Sequence, residues 1–258
     1  MIRDYLVFRL YGAMCSWGDI AVGEVRPSTV HPSKSAILGL IAAAMGIKRP
    51  DTVSNENERV VLEEAHRALA QGYGFAVRVD APGRSLVDYH TAQVPSSGTG
   101  RNRRQFATRR DELLSVPRAD LNTILSRRDY RVDALYTVAL WARPWAPHAL
   151  DEFAARLHEP VYALYLGRKS CPPALPLAAQ VVIAGSILDA MPLPDDFTRR
   201  LVPPSRRAVL YWDEDGEAGI PPEHTFTRRD AVYSRRRWQF QTRTEHHAAL
   251  PVQELIDV

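Results

Sequence analysis

Ala134-Leu-Tyr-Thr-Val-Ala-Leu-Trp141 alternates Leu135, Thr137, Ala139 and Trp141 with Tyr136, Val138 and Leu140, and both series are apolar enough to be buried. A strand with two apolar faces belongs at the centre of a sheet covered on both sides. On its N-terminal side, Tyr5-Leu-Val-Phe-Arg-Leu10 is rich in β-formers and stops at Gly12, Phe75 to Val79 alternates, and Leu86 to Val94 reads as a further strand. Between the first two, Pro27 and Pro32 hold the chain extended. A helix then starts at Ser33, a good N-cap, buries Ala36, Ile37, Leu40, Ile41 and Ala44, and stops at Gly46. A second, amphipathic helix covers Glu56 to Gln71, with Val60, Val61, Leu62, Ala65, Ala68 and Leu69 as its apolar face.

On the C-terminal side a short helix, His148 to His158, precedes a strand from Gln180 to Ala184. The order strand, helix, strand, then strand, helix, strand predicts an α+β chain of the ferredoxin-like, split βαβ type. The RNA-recognition motif (RRM) shares that topology. After Pro192 the pattern loosens: Arg207 to Trp212 reads as a strand, Asp213-Glu-Asp-Gly216 as its turn and Pro221-Pro222 as a loop. The expected organisation is therefore a domain over 1–185 and a smaller, mainly β part over 186–258.

Composition admits an ordinary soluble protein, with 45% hydrophobic and 24% charged residues and a net charge of +3. Of 33 basic residues only Lys34, Lys48 and Lys169 are lysines. Arginine forks onto phosphate and stacks on bases, but a GC-rich genome produces the same bias, so clustering has to arbitrate. Cys15 and Cys171 have no metal-ligand spacing and read as buried or half-buried free thiols. The N-terminus lacks a signal-peptide core, and the longest apolar run, Ala36 to Ile47, is shorter than the roughly 20 residues a bilayer needs. The expected location is cytoplasmic, with no membrane partner.

Four segments could carry chemistry. From Arg101 to Arg131 there are nine arginines, among them Arg103, Arg104, Arg109, Arg110, Arg127 and Arg128, against four acids. A long basic excursion from a compact pattern suits phosphate binding; a solvated charged loop is the plain alternative. Tyr165-Leu-Gly-Arg-Lys-Ser170 offers Gly167 for close backbone approach and Arg168 and Lys169 as cations. Arg26-Pro-Ser-Thr and His31-Pro-Ser-Lys-Ser35 lead into a helix N-terminus, where Arg26, Ser33, Lys34 and Ser35 could receive an anion. In Asp88-Tyr-His-Thr91, Tyr89 and His90 could stack on a base or move a proton, and with His31 and Lys169 could cleave RNA without metal. On a regular strand, however, Tyr89 and His90 point to opposite faces. His66 reads as structural and His246-His247 as surface. No cofactor or metal site is expected.

Taken in order, Leu10-Tyr-Gly-Ala-Met-Cys-Ser-Trp-Gly18, Arg26-Pro-Ser-Thr29, Pro32-Ser-Lys-Ser-Ala-Ile-Leu-Gly-Leu40, Asp88-Tyr-His-Thr91 and Tyr165-Leu-Gly-Arg-Lys-Ser-Cys-Pro172 resemble the CasD family of type I-E CRISPR Cascade subunits. The likeness spans roughly residues 1–175 and loosens from about 185. It implies a repeat-associated (RAMP) fold, ferredoxin-like, with a β-hairpin thumb inserted at about 94–130. It also implies a non-catalytic subunit that grips the 5′ handle of the CRISPR RNA beside the CasC backbone and the large CasA subunit, meeting target DNA through the complex. Trp17 joins the expected RNA-binding residues on this ground. A related type I-C family cleaves precursor RNA, so a metal-independent endoribonuclease is the alternative.

Overall fold

The computed structural model describes residues 2–19, 21, 23–95, 106–202 and 207–250. One sheet organises them. Its strands are β1 (Arg3–Cys15), β2 (Val25–Arg26), β3 (Tyr73–Ala81), β4 (Arg84–Pro95), β5 (Leu121–Ala142), β6 (Gln180–Ala184), β7 (Val209–Asp213), β8 (His224–Ser234) and β9 (Gln239–Ala249). The main path runs β6-β1-β5-β3-β7-β9-β8, with β2 and β4 also pairing with β5. The stretch from Ala134 to Trp141 lies in β5 between β1 and β3, and every residue of it is buried. Two apolar faces do put it at the centre.

Each face of the sheet has its own core, as alternation requires. Leu6, Phe8, Leu10, Phe75, Val77, Tyr136, Val138 and Leu140 pack beneath α1 (Lys34–Met45), α2 (Glu56–Gly72) and α4 (Leu150–His158). Tyr5, Val7, Ala76, Ala139 and Trp141 face the other way, continue along that face through Leu210 and Trp212 of β7 and Ala248 of β9, and cluster with Ile187 and Ala190 of α5 (Ile187–Ala190). The C-terminal strands thus extend the same sheet from the β3 edge. Ser33 caps α1 by accepting the Ala36 N–H at 3.2 Å, and Gly46 ends it. In α2 the sequence reading is corrected: Val60 and Val61 are exposed, and the inward face carries His66, Leu69 and Ala70. His66 is structural, its Nε2 3.1 Å from the Lys48 carbonyl.

β5 is long because it serves two structures. Its C-terminal half lies between β1 and β3; its N-terminal half, from Leu121, pairs with β4 as an arm that runs beyond the end of β1, whose last partners on it are Arg131 and Val132. β4 follows β3 after only Pro82 and Gly83, so the two flank β5 almost continuously. At the junction two left-handed residues sit across the ladder from each other, Gly83 (φ 63°) and Asp133 (φ 56°). A Cβ on Gly83 would fall 2.3 Å from the Val132 carbonyl oxygen, so only glycine fits. The arm therefore begins at Arg84, earlier than the expected 94, and carries the short helix α3 (Arg109–Leu114) beyond its strands.

A buried charge network holds β7, β8 and β9 to the start of α1. The Lys34 ammonium donates to Asp213 at 2.6 Å, and its backbone N–H to Asp230 at 2.9 Å, which caps the helix from a distant strand. Arg243 bridges Asp213, Asp230 and Glu245 at 2.8, 2.6 and 2.5 Å, and Arg143 reaches Asp213 at 3.2 Å and grips Asp215 through two bonds of 2.8 Å. His31 stacks on Tyr211 at 3.9 Å, with its Nε2 2.6 Å from Arg228 and 3.5 Å from Glu245. His246 and His247 are half-buried in β9, where His246 Nδ1 lies 2.9 Å from Thr225 Oγ1 and the His247 ring 4.9 Å from that of Tyr211. They are ladder residues, not the free surface pair expected. Among the described residues no helix is long and apolar enough to cross a membrane.

Candidate RNA interface

The motif segments meet at the root of the arm. The Ser16 N–H donates to Leu166 O at 3.0 Å, and Thr29 returns both its N–H and its hydroxyl to Trp17 O at 2.8 and 3.1 Å. The Ser28 hydroxyl accepts the Trp17 N–H at 3.0 Å. The Tyr165–Ser170 turn is folded on itself by Leu166 N–H to Cys171 O and Cys171 N–H to Arg168 O. Gly167 (φ 86°) presses against Ser16, and a Cβ there would sit 1.8 Å from the Ser16 carbonyl oxygen. Its glycine is thus required by a protein contact rather than by the approach of a phosphate. Gly167→Ala should lower the unfolding free energy by about 1–3 kcal/mol, read as a shifted urea midpoint. An unchanged midpoint would mean that the turn relocates freely.

This docking places cations. Strand β2 pairs in parallel with β5, setting Arg26 opposite Arg128 and Val25 opposite Arg127. The Arg168 guanidinium lies over the Tyr130 ring at 4.5 Å and donates to the carbonyls of Asp129 (3.4 Å) and Arg26 (3.2 Å). On the arm, Tyr89 pairs with Arg127, Asp88 with Arg128 and His90 with Ser126, in unbroken register. Tyr89 is 73% exposed. Arg127 leans on Asp129 at 3.4 Å, while Arg26, Arg128, Arg168 and Lys169 make no ion pair among the described residues. Arg26, Arg128 and Arg168 over Tyr130 share one face of the arm root and form a surface suited to phosphate, while Tyr89 lies with Arg127 on the other face.

Further out, Arg109 bonds Glu112 and the Gln93 carbonyl, and Arg110 is exposed on α3. Arg101, Arg103 and Arg104 lie outside the described residues.

Other expected residues go elsewhere. Trp17, 2% exposed, stands edge-on to Tyr136 at 5.8 Å and is core. Ser33 is spent as the N-cap, and Ser35 is half-buried with its hydroxyl 3.1 Å from that of Ser33. Lys34, 3% exposed, neutralises Asp213. Burial outweighs that carboxylate and lowers the Lys34 pKa from its ordinary value. A cation already paired in the interior is not offered to an anion outside. Cys15 and Cys171 are buried free thiols, and burial pushes the Cys15 thiol up to about 12 despite its contact with Tyr136.

Tyr89 and His90 belong to neighbouring positions on a regular ladder and so to opposite faces, as expected. His31 is enclosed by Tyr211, Glu245 and Arg228 and does not join them.

Comparison with known proteins fits this picture. A family model described as CRISPR-associated protein (Cas_Cas5) matches residues 5–245. The CRISPR system Cascade subunit CasD of Escherichia coli (strain K12) is 34% identical over 184 residues, covering 68% of this chain and 70% of that protein. A chain of a CRISPR RNA-guided surveillance complex superposes with a TM-score of 0.57 at 24% identity, covering 95% of this chain and 89% of the other. A Cas protein known from a crystal structure superposes with a TM-score of 0.57 at 20% identity, covering 98% of each chain. At those identities the two structures speak to the fold alone.

Proposed function

Because the chain belongs to the CRISPR-associated protein (Cas_Cas5) family, we propose that it is a Cascade subunit that grips the 5′ handle of the CRISPR RNA at one end of the complex. Its partners are the other Cascade subunits, a CasC-type backbone and a CasA-type large subunit, with target DNA reached through the assembly in the cytoplasm. Arg26, Arg128, Arg168 and Lys169 at the root of the arm, without an ion pair among the described residues, carry this reading. A fixed handle calls for positioning through backbone contacts, which such a cluster supplies.

We read residues 1–185 as the ferredoxin-like domain. Support comes from its antiparallel order β6-β1-β5-β3, with helices after β1 and after β5. We read 186–258 as the smaller part, whose described strands β7, β9 and β8 lengthen the same sheet, and the arm as the thumb.

The subunit holds RNA without cutting it. The four residues an endoribonuclease would recruit do not converge: Tyr89 and His90 take opposite faces and His31 is enclosed. Incubating the purified chain with its repeat RNA in EDTA should leave the RNA intact and retained on a filter. Discrete cleavage that His90→Ala abolishes would reverse this assignment.

A further inference from the structure

A second array of aromatic rings and arginines lies on the turn joining β8 to β9. Trp238 holds a positive φ of 52°, rare for a bulky residue and kept only where the surroundings impose it. It closes the turn over 235–238 between the paired residues Ser234 and Gln239, where a hairpin loop calls for a left-handed residue. The guanidiniums of Arg49 and Arg235 each lie 5.3 Å from the indole centroid, and Phe240 lies 6.4 Å away, tilted by 51°. Arg235 is itself anchored, donating to Ser35 O at 2.9 Å and crossing α1 where a Cβ on Gly39 would come within 3.0 Å of its Nη2. Yet Trp238 remains 51% exposed. The turn thus presents a half-exposed indole with the guanidiniums of two arginines each 5.3 Å from its centroid.

The surrounding charge is only partly cancelled, since Asp51 and Glu63 act on Arg235 and Glu63 accepts the Arg236 N–H at 3.0 Å. Arg49 pairs with Asp51 and Arg236 with Glu56, but Arg229, Arg235 and Arg237 make no ion pair among the described residues. Trp238 and Arg235 thus set ring and guanidinium side by side, and Arg235 ties the hairpin turn to the start of α1 through the Ser35 carbonyl. Rings that take bases, with guanidiniums that take phosphates, are the chemistry of single-strand recognition.

We propose that Trp238 is a stacking platform for single-stranded RNA that continues from the arm across the α1 face, an extension that rests on the RNA-gripping role above. RNA, rather than displaced DNA or an acidic protein, is favoured because Arg235 bonds the Ser35 carbonyl at the start of α1, the helix that follows the arm-root segment Arg26–Thr29.

The test is fluorescence anisotropy of the full chain with a labelled oligouridylate and, separately, an oligodeoxythymidylate of equal length. Trp238→Gly removes the ring and suits the left-handed backbone, and the thermal midpoint verifies its fold. It should weaken oligouridylate binding roughly five- to a hundred-fold, the loss expected for one base–aromatic stack. Trp238→Tyr should keep most of the affinity, and Arg237→Glu should weaken it in a salt-dependent manner. Unchanged binding by folded Trp238→Gly and by Arg237→Glu overturns the inference. A loss confined to the deoxy oligomer does so too, as does a wild-type chain that ignores oligouridylate. Arg168→Glu separates the two readings. If it alone abolishes binding, the arm stands without the platform; if only the Trp238 and Arg237 variants lose binding, the platform stands and the arm does not.

Discussion

Alanine in place of Asp213 is expected to lower the unfolding free energy by about 3–5 kcal/mol, the range for stripping one partner from a buried ion pair. Asp213 is 3% exposed and receives Lys34 at 2.6 Å, Arg243 at 2.8 Å and Arg143 at 3.2 Å. Without it the Lys34 ammonium keeps its burial and loses its counter-charge, next to two guanidiniums of its own sign. Urea denaturation at neutral pH measures the loss, and Lys34→Met added to Asp213→Ala should recover part of it. A loss below about 1 kcal/mol would mean that water reaches these charges. Glu245 adds a pH dependence. Burial pushes its carboxyl up, but the hydrogen bond and charge of His31, with Arg243 and Arg228, outweigh burial and bring it from 4.5 down to about 2. As pH falls below 4.5 the unfolded chain takes up this proton and the folded chain does not until about 2. The contribution is complete above that window and drains away through it, on the order of 3 kcal/mol.

Arg168→Glu is the second large effect, expected to weaken binding of the handle RNA roughly 100-fold. The substitution removes the cation, its stack on Tyr130 and its two carbonyl anchors, and sets a carboxylate beside Arg26 and Arg128. Filter binding across a salt series checks it: the slope of log affinity against log salt should become shallower by about 0.7 for each phosphate that is no longer neutralised. Arg168→Lys should fall between, because it keeps the charge without the planar face. Wild-type affinity in Arg168→Glu would remove the arm root from the interface.

What the sequence makes legible is local. The two-faced stretch from Ala134 to Trp141, the Ser33 cap and the strand from Gln180 to Ala184 each follow from neighbouring residues, and each stands in the structure. The misplaced residues depend on distant ones. Lys34 reads as a free cation at a helix start because Asp213 and Asp230 lie 179 and 196 residues further along the chain. Helical periodicity cannot show which side of α2 the later β8 covers, so it turns Val60 and Val61 inward. Trp17 enters the expected interface only through its place in the Leu10–Gly18 motif, and its packing on Tyr136 shows it to be core. The arm's true start is hidden for a related reason. Leu86 to Val94 is recognisable as a strand, but its partner begins at Leu121, with no tight turn between them to announce the pairing.

The corner at Gly83 and Asp133 has an implication for how such a subunit could diversify. Asp133 pairs with Arg84 at 3.5 Å and Arg131 donates to Pro82 O at 2.6 Å, but no bond joins the corner to Arg26, Arg128, Arg168 or Lys169, and it lies where β3 passes into β4. A substitution there, such as Asp133→Val, would leave the adhesive residues intact and swing them to another heading. Recognition of a different handle could then arise by re-aiming an unchanged grip, through two backbone angles rather than through a new set of side chains.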